Sequence, residues 1–196
     1  MRRLLIFSVV MLFCWKYFGP EATVQLTPGV KVSDAPIQKK LIRADKIKFD
    51  DYLITPLASF ELKAKVLAKE GYSLGRESDL SPVDLALGWQ KMSDESVINK
   101  IEISQSGRWY HWRTNAFPIP RREIETQSAN MHLIPANDMI ETLIESAKVG
   151  QIIAMTGSLV RVDANDGWHW LSSLTREDTG NHACEVVYVT GFELIH

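Results

Sequence analysis

The densest set of side chains able to do chemistry is Arg108-Trp109-Tyr110-His111-Trp112-Arg113, with Ser128-Ala129-Asn130-Met131-His132 some twenty positions on. In a strand, Trp109, His111 and Arg113 share one face, and Tyr110 and Trp112 share the other. Indole rings beside guanidinium groups can stack on sugars, peptidoglycan or flat ligands while the charges hold polar substituents. Arg108, Trp109, His111, Arg113 and His132 are therefore the candidate ligand-binding residues. The competing reading is plain packing, because aromatic residues are favoured in strands whether or not they bind anything.

Catalytic alternatives carry less. His111 and His132 with a nearby acid would suit a hydrolase. No HxH or HExxH spacing points to a metal, so neither a metal ion nor another cofactor is expected. Ser106-Gly107 lacks the nucleophile-elbow pattern. His169, between Trp168 and Trp170, reads as a surface residue flanked by two inward rings. Two cysteines exclude a disulfide framework, and Cys184, in Ala183-Cys184-Glu185-Val186-Val187, reads as a small buried hydrophobe rather than a nucleophile. The hydroxyl-rich run Ser172 to Gly180 around Arg176 could cradle an anion, but a plain polar hairpin loop is the favoured reading.

The elements that must position these residues read as mixed strand and helix. Phe60 to Val66 alternates apolar and charged residues as a half-buried strand does, although Thr55-Pro56 would also suit the start of a helix. Ser81 to Gly88 reads as a capped short helix ending at glycine, and Ser93 to Ile98 opens another with acids in its first turn. Ile101 to Ser104 begins a strand that continues past Gly107 to Arg113. Asn137-Asp138 caps a helix whose apolar stripe is Ile140, Leu143, Ile144 and Ala147. Three strands follow, over 151–162, about 168–174 and 183–195, with turns at Asn165-Asp166-Gly167 and Asp178-Thr179-Gly180-Asn181.

Gly150-Gln151-Ile152-Ile153-Ala154-Met155-Thr156-Gly157-Ser158-Leu159-Val160-Arg161-Val162 resembles the opening, glycine-kinked strand of an OB-fold module of the kind found in exported OB-like and tRNA-anticodon-binding-like families. Ala183 to Leu194 is similar to the last strand of such modules. The resemblance implies a small barrel in residues 150–196 whose remaining strands come from before residue 137. The stretch from about 52 to 135 resembles membrane-anchored bacterial proteins and implies no activity of its own.

The N-terminus is an address. Arg2 and Arg3 precede an apolar run, Leu4 to Trp15, of about 12 residues, which Tyr17 and Phe18 extend past Lys16 towards spanning length. A cleaved signal peptide lacks small residues at a cleavage site, and a lipoprotein signal lacks them before Cys14. A retained single-pass anchor over 1–19 is the reading adopted, with the N-terminus cytoplasmic and the rest periplasmic on a bacterial inner membrane. Residues 20–49, punctuated by Pro20, Pro28 and Pro36, read as a basic linker, with a small hairpin around Thr27-Pro28-Gly29. Residues 50–196 form the exported domain.

Charge closes off one class of partner. Of 196 residues, 45% are apolar and 23% charged, as in a soluble globular domain. Residues 1–49 carry nine Lys or Arg against three acids, which leaves the rest with 13 basic and 21 acidic groups. So acidic a domain repels phosphate backbones, and no nucleic-acid partner is expected. Fold class is α+β, mostly antiparallel strands with a few short helices behind one transmembrane helix. The expected role is a membrane-anchored binding or assembly module of the cell envelope with a protein partner there. The alternatives are an envelope hydrolase using His111 and His132, and a structural subunit of an envelope or secretion complex.

Overall fold

Alternation from Phe60 to Val66 sends Phe60, Leu62, Ala64 and Val66 into a core and leaves Glu61 and Lys63 in water. In the computed structural model, which describes residues 23–175 and 184–195, this run is the middle of a long strand, β3 (Tyr52–Gly71). Pro56 sits in that strand where the register with its neighbour shifts, between Pro56 and Ala58, a place that tolerates a residue without an N–H. Two short strands precede it, β1 (Ile37–Lys40) and β2 (Ile47–Phe49), and both pair antiparallel with it.

After β3 come α1 (Arg76–Leu80), β4 (Val83–Gly88), a 3-10 turn (Gln90–Ser93) and α2 (Glu95–Ile98). A two-stranded sheet, β5 (Glu102–Ser106) and β6 (Trp109–Arg113), and α3 (Arg121–Thr126) lead to β7 (Ser128–Pro135). Then α4 (Asp138–Ser146), β8 (Ile152–Ala164), β9 (His169–Leu171) and β10 (Glu185–Ile195) complete the described chain.

Five of these strands close on themselves. β3 pairs with β8 along Tyr52–Lys65 and with β4 along Lys65–Gly71. β4 pairs with β7, β7 runs parallel to β10, and β10 returns antiparallel to β8. The barrel order is β3-β4-β7-β10-β8, and its interior holds Leu62, Leu85, Met131, Leu133, Met155 and Val187. The close approach of β8 and β10 needs Gly157, where a Cβ would lie 2.1 Å from the Tyr188 carbonyl oxygen. α4 begins where the sequence places it: Asn137 Oδ1 accepts from the Ile140 N–H at 3.1 Å, and Ile140, Ile144 and Ala147 are buried in the same core. The fold is α+β, mostly antiparallel, with short helices, as the sequence implies.

Several expectations change. Ser81 to Gly88 holds no helix; α1 ends before it, and Val83–Gly88 is a strand with all six residues buried. Such a strand is covered on both faces, so its apolar run lacks alternation and reads as a helix segment. The strand expected to cross Gly107 is instead folded back at Gly107 and Arg108, whose φ values of 56° and 72° are those of a tight hairpin turn. The Gly150–Val162 strand lies fourth, not first, in the chain order of the barrel strands.

The stretch expected as a basic linker is partly built into the domain. β1 pairs with Ala58–Glu61 of β3, and Val32 is buried. No hairpin forms around Pro28; the backbone N–H groups there are taken by side chains of the 93–95 turn instead. Leu26 N–H donates to Glu95 Oε1 at 3.0 Å and Gly29 N–H to Asp94 Oδ1 at 2.8 Å. Lys31 and Val32 both donate to Ser93 Oγ at 3.0 Å. Glu95 is itself buried and ion-paired with the fully buried Lys65. No described helix is long and apolar enough to cross a membrane, and the expected anchor over 1–19 lies outside the described residues, as does the turn at 178–181.

Candidate functional site

The site is built on the outer face of β4 and β7. Odd positions of β7, Met131 and Leu133, fill the barrel, so Asn130 and His132 point out of it. Strand register places Asp84, His132 and Val186 side by side in one row across three strands. The β5–β6 hairpin lies over part of this face, with Ile103, Tyr110 and Trp112 packed against Ala86, Met92 and Ile124.

Asp84 has no exposed surface, so its charge must be compensated within the protein. Arg108 Nη1 donates to Asp84 Oδ1 at 2.7 Å and to the Ser81 carbonyl at 2.9 Å. Ser81 Oγ adds a bond to the same Oδ1 at 3.2 Å. On the other side, His132 Nδ1 stands 2.9 Å from Asp84 Oδ2, off the line of an aligned hydrogen bond. One buried carboxylate thus binds an arginine through one oxygen and faces a histidine with the other.

Arg108 is fixed from every side. Its N–H donates to Tyr72 Oη at 2.9 Å and its carbonyl accepts from Asn130 Nδ2 at 3.1 Å. Gln105 Nε2 in turn donates to Asn130 Oδ1 at 2.6 Å. The guanidinium carbon lies 3.8 Å from the Tyr72 ring centroid and 5.9 Å from that of Trp170. Burial is the largest influence on the Tyr72 hydroxyl and raises its pKa above the ordinary value, so it stays protonated. Arg108 keeps this pose in the left-handed backbone region, as the second central residue of the hairpin turn requires. Its Nη2 is buried and meets no acceptor.

Above this network opens a cleft of about 460 Å³. The hairpin contributes Arg108 and Trp109, and β7 contributes His132, whose ring packs on Trp170 at 4.8 Å. Among the described residues, Glu77 of α1, His169 and Leu171 of β9, and Cys184, just before β10, also line it. Cys184 is half-buried and faces this space, not a core position as its flanking residues suggest. His169 is exposed between two half-buried tryptophans, as its neighbours imply.

Three of the expected residues, Arg108, Trp109 and His132, therefore meet in one place. The other two do not. His111 and Arg113 alternate with Tyr110 and Trp112 as expected, but both are exposed and neither lines the cleft; Arg113 Nε is bonded to Glu102 at 2.7 Å. His111 and His132 consequently do not form the pair that the hydrolase reading required. In the hydroxyl-rich run, Ser172 and Ser173 are buried and tie down the chain: Ser172 Oγ donates to the Ser173 carbonyl and accepts from the Val186 N–H.

Sequence reasoning missed Tyr72 and Asp84 as parts of the site, and read Trp170 only as an inward ring and Cys184 only as a buried hydrophobe. Of the two missed, Asp84 left a signal, as the one acid inside the apolar run Val83–Gly88, where a charge must find a partner. No known protein family, curated protein or solved structure matches this chain.

Proposed function

We propose that this chain is an exported module, held at the bacterial inner membrane by residues 4–18, that binds its ligand in the cleft over β4 and β7. The ligand carries an oxygen acceptor beside a flat or apolar ring face. The observation that carries this reading is Arg108: its guanidinium is locked by Asp84, Ser81 and Tyr72, yet Nη2 is left buried without an acceptor. An unpaired buried donor costs about 1–3 kcal/mol, and a bound oxygen would recover that. Trp109 and Trp170 supply the ring faces.

We further read the barrel as OB-type. What supports this is the order of its strands: counted along the chain they close as first, second, third, fifth, fourth, with one parallel contact between third and fifth and a helix between third and fourth. Modules of that type bind on their second and third strands, between the loops after the first and fourth. In support of this reading, the cleft lies over β4 and β7, with Glu77 on one side and His169–Leu171 and Cys184 on the other. The acidic balance of the domain argues against nucleic acid as the occupant.

The test is photocrosslinking in living cells. A benzophenone side chain in place of Trp109 should give a light-dependent adduct, while one in place of the exposed His111 should not. Arg108→Met should abolish the adduct at 109. No adduct at 109, or one that ignores Arg108, would sink the binding reading. A reporter fused after His196 that works only in the cytoplasm would sink the exported placement.

A further inference from the structure

We infer that the cleft acts on what it binds, with Cys184 as a nucleophile, His132 as its base and Asp84 as the residue that positions the base. The inference rests on the cleft being the ligand site. Val186 is the register partner of His132 in the parallel pair β7–β10, and Cys184 lies two residues before it in the chain, at the entry to β10. Both Cys184 and His132 line the cleft. The His132 side chain is 4% exposed, and among the described residues neither ring nitrogen makes an aligned hydrogen bond. With Nδ1 turned to Asp84, Nε2 is the nitrogen left for the cleft. That is the orienting acid, base and nucleophile order of thiol acyl-transfer sites.

Among the described residues, the charged and titratable groups around the thiol come from four elements: Glu77 of α1, Arg108 of the hairpin, His132 of β7 with Asp84 behind it, and His169 of β9. Glu185, the next residue, belongs by alternation to the opposite face of β10. Two cationic side chains, Arg108 and a proton-accepting His132, favour the thiolate over the thiol.

The substrate class is an acyl compound: an ester, thioester or amide. The thiol proton passes to His132 and the thiolate attacks the carbonyl carbon. The carbonyl electron pair moves to oxygen, where Arg108 Nη2 is the donor without an acceptor. The pair then returns, the bond to the leaving group breaks, and the leaving group takes the proton from His132. Water, giving its proton to His132, attacks the thioester, and the thiol leaves with that proton restored.

The full chain in detergent micelles is alkylated with iodoacetamide across a pH series, and Cys184 is followed apart from Cys14 by peptide mass mapping. The expected midpoint for Cys184 is at least about one pH unit below the ordinary thiol value near 8.5 that the same residue shows in the unfolded chain. His132→Gln should move it back up, and Asp84→Asn part of the way. Coincident folded and unfolded profiles overturn the inference and need no variant. A midpoint unmoved by His132→Gln overturns the base, and one unmoved by Asp84→Asn removes Asp84.

With p-nitrophenyl acetate, one equivalent of p-nitrophenolate should appear in a burst and the acetyl group should be found on Cys184. Loss of the burst in Cys184→Ser supports the step; no acetyl group on Cys184 in the parent chain overturns it. An adduct at position 109 with an ordinary Cys184 would leave binding standing and end this proposal. An activated Cys184 without that adduct would do the reverse.

Discussion

Arg108 Nη1 lies 2.7 Å from Asp84 Oδ1, joining the turn of a surface hairpin to the buried face of a barrel strand. Asp84 has no exposed side-chain surface and Arg108 keeps 18% of its own, so the pair sits at the boundary where charge is costly to desolvate and costly to leave unpaired. The pair decides where Arg108, Tyr72 and Trp109 stand above His132.

Asp84→Ala should destabilise the chain by about 3–5 kcal/mol, since it leaves Arg108 without its counter-charge. Pairing Asp84→Leu with Arg108→Met should recover most of that loss, because apolar groups of similar size replace both charges. Urea denaturation of the single and double variants measures the difference. A loss under about 1 kcal/mol for Asp84→Ala would place the pair among weak surface bridges.

The two faces of β6 should answer differently. Trp112, packed against the Ala86–Met92–Ile124 cluster and edge-on to Phe117, should cost about 3–5 kcal/mol on conversion to alanine. Trp109 is 40% exposed, so Trp109→Ala should barely move Tm. His111→Ala and Arg113→Ala should change neither Tm nor crosslinking at position 109. Equal destabilisation by Trp109→Ala and Trp112→Ala would mean that both faces are packed.

A chain beginning at residue 23 should be more stable than one beginning at residue 50. The longer chain keeps Val32 in the core, β1 on the edge of β3, and backbone donors on Ser93, Asp94 and Glu95. The shorter one opens the Lys65–Glu95 pair to water where Leu26 was bonded. Thermal midpoints by circular dichroism compare the two, and equal midpoints would show that residues 23–49 contribute nothing.

Alkaline stability should track Tyr110. Burial pushes its pKa up to about 12 from the ordinary 10, against a smaller opposing effect of the bond to Ser128 Oγ. The folded state therefore holds the phenol proton when the unfolded chain has lost it. Stability is unaffected below pH 10 and falls as pH rises from about 10 to about 12, by roughly 2–3 kcal/mol. Tyr110→Phe should remove that part of the slope in urea titrations at about pH 9 and about pH 11. An unchanged slope would show that Tyr110 ionises in the fold as it does unfolded.

The sequence by itself determined the elements whose burial is one-sided. Alternation along Phe60–Val66 and Arg108–Arg113, and the stripe with its Asn137 cap on α4, are legible because one face meets water and the other does not. Arg108, Trp109 and His132 stood out for the same reason: their types are conspicuous locally. β4 was hidden because both of its faces are covered, and with it went Asp84. The strap over residues 24–32 was hidden because its backbone donors are met by side chains more than sixty residues away. Only the tertiary structure decided that His132 meets Asp84, not His111, and that Cys184 faces the cleft and not the core. Those neighbours follow from the register of β4, β7 and β10 across a closed barrel, and register between strands fifty residues apart leaves no periodicity in the chain to read.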